Sequence, residues 1–214
     1  MYNNFVDVML EMISENGGLV GVNLRMVSSR VGCAHTNAYN YFDGFDGLIF
    51  AAYDKALILY GTAVTKNLND IEEGEKYFLT FIRNIIEFAI ENPGFYRFIG
   101  SDTFDIHRLS MGTIQKAIEL KQYFLDVFYS VTASKLSREE SDENANILMS
   151  YIDGELFNII NKRAFPEDDT ANRMIRNTVK LVKLFTFKDG DHIDLNTSCK
   201  KSYEPDLPGY LINE

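Results

Sequence analysis

Twenty residues near the start of the chain, from Asn23 to Phe42, constrain the fold most strongly. They read NLRMVSSRVG and then CAHTNAYNYF. Three apolar residues in the first half recur at helical spacing: Leu24, Val27 and Val31. Asn23 can cap the start of that helix through its side-chain oxygen, and Gly32 can take the left-handed conformation that ends it. A second short helix, from about His35 to Phe42, follows a tight turn, so this stretch has the layout of a helix-turn-helix.

A third helix precedes this stretch. Its apolar residues form a stripe along one face: Phe5, Val8, Met9, Met12 and Ile13. The stripe predicts an amphipathic helix that packs across the other two and ends near Gly17 and Gly18. We therefore predict a three-helix head over residues 1–46, in which Ala38 and Phe42 face the core.

Between residues 3 and 60 the sequence resembles the head of the TetR family of transcription regulators. The residues that match the family pattern are Leu24, Arg25, Val27, Val31, Gly32, Tyr39, Tyr41, Phe42, Asp46 and Leu48. The resemblance implies an all-α protein of about nine helices, with a helix-turn-helix DNA-binding head and a larger ligand-binding and dimerisation domain over residues 47–190. It further implies a homodimer that binds double-stranded operator DNA, typically as a repressor, and is released by a small-molecule effector.

Candidate DNA contacts follow from this resemblance. Arg25 opens the second helix, where the family arginine reaches a phosphate or a guanine edge; the alternative is a solvated surface arginine. Tyr39 matches a phosphate-contacting tyrosine, although its ring could equally close the edge of the core. The full set of expected DNA contacts is Arg25, His35, Thr36, Asn37, Tyr39, Asn40, Tyr41 and Lys55.

The charge of the chain argues against an ordinary DNA-binding head. The formal net charge is −10, and residues 1–60 contain more acidic than basic side chains, whereas phosphate neutralisation supplies most non-specific affinity for DNA. Positions where the family commonly has lysine hold His35 and Phe45, and Ala34 replaces the usual serine cap. Three explanations remain open: binding through hydroxyls, amides and helix N-termini, binding assisted by a partner, or a TetR-like small-molecule or protein-binding module without autonomous DNA binding.

A long fourth helix is predicted from about Phe45 to Asn67. Its expected apolar face contains Leu48, Ala52, Ala56, Leu59 and Ala63. In the resembled family such a helix connects the head to the body, and its tilt sets the spacing of the two recognition helices in a dimer. A ligand that shifts this helix would change the affinity for DNA.

The middle of the chain predicts an aromatic body. Helices are expected from Tyr77 to Asn92, from Phe95 to Gly100 and from Gly112 to Ala133, the last with Ile114, Ala117 and Ile118 facing inward. The resemblance implies a cavity for an apolar or aromatic effector among them, with these residues as wall candidates: Phe81, Phe88, Tyr96, Phe104, His107 and Tyr123. A dense core without a cavity is the alternative, because aromatic stripes at helical spacing usually serve packing.

Two long helices near the end of the chain are predicted to form the dimer interface. A capping box at Ser137 and Glu140 opens the first, which runs to Arg163, and the second runs from about Thr170 to Phe187. The resemblance implies that they meet their twins as a four-helix bundle. Residues 191–214 break the helical pattern and are expected to form an irregular tail, where a solvated turn is favoured over a cation site at Asp189, Asp191, His192 and Asp194.

Several other classes of protein receive little support. The three histidines lie far apart, at 35, 107 and 192, and no phosphate loop, zinc motif or nucleophile elbow is present. An enzyme, a metal or a cofactor is therefore not expected. Apolar runs fall short of the length that spans a bilayer, so we expect a cytoplasmic protein. Cys33 fits a small apolar turn residue better than a redox sensor.

Overall fold

The computed structural model describes residues 1–163 and 169–186, apart from the side chain of Ile106. All regular elements in this part of the chain are helical, as predicted. Residues 1–163 and 169–186 contain eight α-helices: α1 (Tyr2–Asn16), α2 (Leu24–Val31), α3 (Gly44–Val64), α4 (Glu75–Glu91), α5 (Pro93–Gly100), α6 (Met111–Thr132), α7 (Arg138–Ile160) and α8 (Thr170–Phe185). Two short 3-10 helices cover His35–Asn40 and Ile106–Arg108. The predicted irregular tail and the expected helix end at Phe187 lie outside the described residues.

The first two helices of the head form as the sequence predicts. The side-chain oxygen of Asn23 accepts a hydrogen bond from the Met26 amide at 3.1 Å, which caps α2. Gly17 and Gly32 both have the left-handed backbone that ends a helix, with φ of 69° and 83°. Phe5, Met9, Ile13 and Val27 are fully buried in the core that these helices share with α3.

The recognition segment differs from the prediction, since it is a 3-10 helix over His35–Asn40 instead of an α-helix to Phe42. Ala34 precedes it and has no side-chain oxygen to accept a hydrogen bond from the first turn. The amides of Tyr41 and Phe42 both donate to the Ala38 carbonyl at 3.0 Å, which closes the segment in the tighter geometry. Ala38 and Phe42 are nevertheless buried, as expected.

Helix α3 connects two hydrophobic cores. Leu48, Ile49 and Ala52 belong to the head core, whereas Val64 belongs to the larger core of the body. Leu59, which we expected on the buried face, is 42% exposed. The buried face of α3 passes through Leu57 instead. The two cores are therefore joined through one continuous helix.

The body is built around α4, which contacts α3, α5, α6, α7 and α8. Phe81, Ile82 and Ile86 fill its buried face. The capping box at the start of α7 is confirmed, with the Ser137 hydroxyl accepting from the Glu140 amide at 3.3 Å. Ile118 of α6 does not face inward as predicted but is 55% exposed. The buried face of α6 is formed by Phe124, Leu125 and Phe128 instead.

A close approach of backbones joins α5 to the head. A side-chain carbon added at Gly94 would lie 2.5 Å from the carbonyl oxygen of Ile13 in α1. Phe98, one turn further along α5, is fully buried in the head core. The head is thus held to the body by α5 as well as by α3.

One helix among those described, α3, is long and apolar enough to cross a membrane by length and composition, contrary to the expectation that no apolar run approaches that length. The same test is passed by core helices of proteins without membrane spans. Asp54 and Lys55 lie in the middle of α3 and form ion pairs with α6 and α1. We therefore interpret α3 as a core helix.

Candidate DNA-binding surface and ligand cavity

The recognition segment presents an uncharged polar surface. Six of the predicted DNA-contacting residues are exposed there: His35, Thr36, Asn37, Tyr39, Asn40 and Tyr41. The segment is anchored from behind by Ala38 and by Phe42, whose ring stacks on Tyr2 at 4.8 Å and meets Phe5 edge-on at 5.8 Å. This surface offers amide, hydroxyl and imidazole groups to a partner, but no permanently charged group.

Two of the three cations of residues 1–60 are already engaged. Arg30 forms a two-pronged ion pair with Glu15, each nitrogen lying 2.5 Å from a carboxylate oxygen. This partner raises the pKa of Arg30 and lowers the pKa of Glu15. Lys55, which we predicted to contact DNA, pairs with Asp7 of α1. Arg25 is exposed and has no ion pair within the described part of the chain, so its guanidinium is open to a partner.

Cations from the body neutralise the acidic side chains of α3. Arg108 pairs with Asp46 and lies 3.7 Å from Asp43. Lys116 of α6 lies 2.6 Å from Asp54, which also accepts a hydrogen bond from the Thr113 hydroxyl at 2.9 Å. The acidity of the head in the linear sequence is therefore partly compensated in three dimensions, and the same contacts tie α3 to α6.

A cavity of about 230 Å³ lies in the body between α3, α4, α5, α6 and α7. Its walls are mainly apolar and aromatic, with Leu57, Ile85, Phe124 and Ile152 among them. Four tyrosines also line it: Tyr53, Tyr60, Tyr96 and Tyr123. A mostly apolar cavity with a few polar groups is the usual form of a small-molecule site.

The predicted wall residues divide into two groups. Phe81, Tyr96 and Tyr123 line the cavity, whereas Phe88, Phe104 and His107 do not. Phe88 packs edge-on against Tyr60 at 5.2 Å, and Phe104 meets Tyr53 at 5.0 Å beside the head core. His107 is exposed in the second 3-10 helix, because the loop after α5 turns outward there.

Two tyrosines of the cavity wall have hydrogen-bonded hydroxyls. The Tyr96 hydroxyl donates to Asp153 at 2.6 Å, and the hydroxyls of Tyr77 and Tyr123 bond to each other. Burial is the main cause that raises the pKa of Tyr60, Tyr96 and Tyr123, so all three stay neutral phenols at physiological pH.

Asp153 is a polar wall residue that was not predicted from the sequence, as are Tyr53, Tyr60 and Lys121. Surrounding protein raises the pKa of its carboxyl, which the hydrogen bond from Tyr96 only partly offsets. The residue as a whole is nevertheless exposed, and contact with solvent favours the charged form of the carboxyl. A sequence signal was present, since Asp153 follows Met149 by one helical turn and adjoins Ile152 on an otherwise apolar face.

A second, more polar cleft of about 320 Å³ adjoins the cavity. Tyr96 and Asp153 line both spaces, so their hydrogen bond stands between them. On the far side of the cleft, the Arg97 guanidinium donates to the Ile160 carbonyl and to the side-chain oxygen of Asn161, both at 3.2 Å. Arg97 thereby connects α5 to the end of α7.

The last two described helices carry apolar residues on their outer face. Ile147 and Phe157 of α7 are 54% and 41% exposed, and Leu184 of α8 is 69% exposed. Two basic residues of α8 have acidic partners, with Arg173 2.8 Å from Glu155 and Arg176 2.8 Å from Asp169. This face therefore differs from the recognition segment in being apolar as well as charged.

Solved structures with this arrangement of helices include several transcription regulators. The fatty acid degradation regulator FadR from Bacillus halodurans is 9% identical, with 86% of this chain and 94% of that chain covered and a TM-score of 0.62. A TetR-family transcriptional regulator from Bordetella parapertussis is 13% identical, with 86% and 93% covered and a TM-score of 0.59. FadR from Bacillus subtilis, solved in complex with stearoyl-CoA, is 11% identical, with 87% and 98% covered and a TM-score of 0.57.

No protein-family model matches the chain, and no curated protein matches it by sequence. The structural likeness extends over most of the chain despite the low identities. This protein therefore has the all-α fold of TetR-like transcription regulators, which confirms the fold expected from residues 3–60.

Proposed function

We propose that this chain is a ligand-responsive repressor that binds operator DNA as a homodimer in the cytoplasm and leaves the DNA when a small molecule fills the cavity. The course of α3 is the observation that carries this proposal. Its first half supports the recognition segment through Leu48 in the head core, and its second half lines the cavity with Leu57, Tyr60 and Val64. A ligand that displaces the second half would tilt the recognition segment.

The DNA contact proposed here depends on hydrogen bonds more than on charge. Asn37 and Asn40 carry side chains that can pair with adenine in the major groove, and the Tyr39 hydroxyl can donate to a phosphate. Arg25 supplies a cation that has no ion pair within the described residues. With few cationic contacts, the affinity should be modest and should depend only weakly on salt.

The proposed effector site is the cavity of about 230 Å³. FadR from Bacillus subtilis was solved with stearoyl-CoA, which supports small-molecule binding within this fold. For this chain we propose an apolar or aromatic effector, because the walls are dominated by aliphatic and aromatic side chains. Phe81, Tyr96 and Tyr123 are the proposed wall contacts.

A homodimer through α7 and α8 is the third part of the proposal. The exposed apolar side chains Ile147, Phe157 and Leu184 fit an interface between two identical faces. Two heads could then reach half-sites about 34–36 Å apart along DNA.

A second function is favoured by the charge of the head. Since Arg30 and Lys55 are paired internally, the chain would also suit a small-molecule or protein-binding module whose head no longer grips DNA alone. The two functions share the cavity and the dimer, and they differ in DNA binding.

Fluorescence anisotropy with labelled DNA that flanks the protein's own gene, over a salt series, separates the two functions. We expect sequence-selective binding that Arg25→Ala and Asn37→Ala weaken, whereas Lys135→Ala, far along the chain in the exposed loop before α7, leaves it unchanged. Absence of selective binding even at low salt would exclude the repressor and favour the second function.

A further inference from the structure

The cavity in the body contains an unusual combination of one carboxylate and several aromatic rings. Asp153 is the only acidic residue among those that line it, and Lys121 is the only basic one. Asp153 has a hydrogen bond from Tyr96 but no ion pair within the described part of the chain. Asp153 is exposed as a residue, but surrounding protein partly shields its carboxylate, and a neutral phenol partner supplies no compensating positive charge.

The aromatic rings lie close to this carboxylate. Tyr96, which donates to Asp153, meets Tyr60 edge-on with ring centroids 6.5 Å apart. The negative charge of Asp153 contributes to the raised pKa of Tyr60, which also indicates their proximity. The faces of such rings attract organic cations, and a carboxylate beside them strengthens that attraction.

Lys121 does not supply the missing charge. Lys121 lies on α6 and Asp153 on α7, and both residues are exposed. Within the described residues no ion pair joins the two. A bound ligand could therefore supply the positive charge that pairs with Asp153.

The volume sets the size of that ligand. An engineered cavity of about 150 Å³ holds benzene, and this cavity, at about 230 Å³, is larger by roughly half. It accommodates one aromatic ring and a short chain. The more polar cleft on the other side of the Tyr96 and Asp153 pair leaves space for a polar substituent.

From these observations we infer that the effector is a small aryl-alkyl amine or a related organic cation, whose ring fills the apolar cavity and whose ammonium group sits against Asp153 beside the rings of Tyr60 and Tyr96. The inference deepens the proposed function, on whose effector site it rests, by assigning a chemical class to the ligand. A carboxylic acid of the same shape would place its charge against Asp153, and a neutral molecule would leave the carboxylate without a counter-charge.

Three compounds of nearly one shape test this assignment: 4-phenylbutylamine, 4-phenylbutanol and 4-phenylbutanoate. Binding to the full-length protein is measured by titration calorimetry, and checked by tyrosine fluorescence, since the chain contains 12 tyrosines and no tryptophan. We expect the amine to bind about tenfold more tightly than the alcohol, as a hydrogen bond between two charged groups allows, and the acid to bind most weakly.

Variants then identify the groups responsible. Asp153→Asn keeps an acceptor for the Tyr96 hydroxyl and should remove the preference for the amine while leaving the alcohol unaffected. Asp126→Asn, on the exposed side of α6 beside Arg138, is the matched control and should change nothing. Tyr60→Leu should weaken binding of the amine by about threefold or more, because the ring face is lost, whereas Tyr60→Phe should leave this binding unchanged.

Three results would overturn the assignment: the acid or the alcohol binding as tightly as the amine, an Asp153→Asn variant that keeps the preference, or no binding of any of the three compounds. Preferential binding of the acid would point to Lys121 as the charged contact instead. Because binding is measured without DNA, failure here leaves the anisotropy test of the repressor unaffected. Loss of DNA binding likewise leaves the amine preference intact.

Discussion

The Nζ atom of Lys116 on α6 lies 2.6 Å from a carboxylate oxygen of Asp54 on α3. Asp54 also accepts from the Thr113 hydroxyl, so two residues of α6 hold one side chain of the helix that connects the head to the body. Both partners of the ion pair are roughly one-third exposed. The pair therefore positions α3 more than it stabilises the fold.

Lys116→Met is expected to loosen this connection with little loss of stability. The free energy of unfolding should fall by at most about 1 kcal/mol, because solvent screens a partly exposed pair. The ratio of DNA affinities without and with ligand should change by more than this loss of stability alone would produce. Urea unfolding and anisotropy with and without ligand measure the two effects, with Lys135→Met as control. An unchanged ligand effect would mean that this pair does not transmit the movement of α3.

Arg25→Ala should reduce the dependence of DNA binding on salt. Removing one phosphate contact lowers the slope of log affinity against log salt by about 0.9, while thermal stability stays the same because Arg25 is exposed and unpaired within the described residues. Arg30→Ala is the matched comparison, since Arg30 already pairs with Glu15. A larger change in slope for Arg30→Ala than for Arg25→Ala would contradict the proposal that Arg25 is the cation that contacts phosphate.

Asp153→Asn should stabilise the protein at neutral pH. The raised pKa of Asp153 means that the folded state holds this proton more tightly than the unfolded state, whose carboxyl titrates near 3.8. The protonated acid therefore contributes stability below that value, and this contribution is lost as pH rises through the raised folded pKa. Melting temperatures of both proteins from pH 3 to pH 7 should diverge with rising pH, with the variant higher. A constant difference across the series would show that the carboxyl is not desolvated.

Gly94→Ala should destabilise the protein by roughly 1–3 kcal/mol, the usual cost of overpacking. The added carbon would lie 2.5 Å from the Ile13 carbonyl, so α5 would have to move away from α1. Gly112→Ala is the control, because its nearest neighbour would lie at an ordinary 3.7 Å and alanine favours a helix. Denaturant unfolding compares the two variants, and equal stabilities would refute the close approach.

Phe157→Glu and Leu184→Glu should convert a dimer into a monomer. Each places a charge on the apolar outer face of α7 or α8, where a second copy would bury it without a partner. Ile118→Glu, on an exposed position of α6, should leave the mass unchanged. Light scattering after size-exclusion chromatography gives the mass. A wild-type monomer at micromolar concentration would remove the dimer from the proposal.

Local sequence signals predicted the helices well because each depended on neighbouring residues. Asn23 and Gly32 delimit α2, and Ser137 with Glu140 opens α7, as their side chains and backbone preferences require. The recognition segment was predicted as an α-helix because its apolar spacing suits either form. The missing cap at Ala34 was the only hint of the tighter 3-10 geometry.

The cavity was predicted less completely, because its walls come from five helices that are distant in sequence. Phe81, Tyr96 and Tyr123 were found from aromatic spacing, but the same signal also selected Phe104, which packs beside the head. Asp153 was missed because α7 was interpreted only as a dimerisation helix. The pairing of Lys55 with Asp7 likewise depends on the angle between α1 and α3, which no local pattern encodes.

The 3-10 form of the recognition segment has a geometric consequence for any duplex it would read. In this helix residues three apart lie in line along the axis, so Asn37 and Asn40 form a column with a spacing of about 6 Å, from a rise of about 2.0 Å per residue. Base pairs repeat about every 3.4 Å along the duplex. A partner that binds this face would therefore meet both amides in one line, roughly two base-pair steps apart.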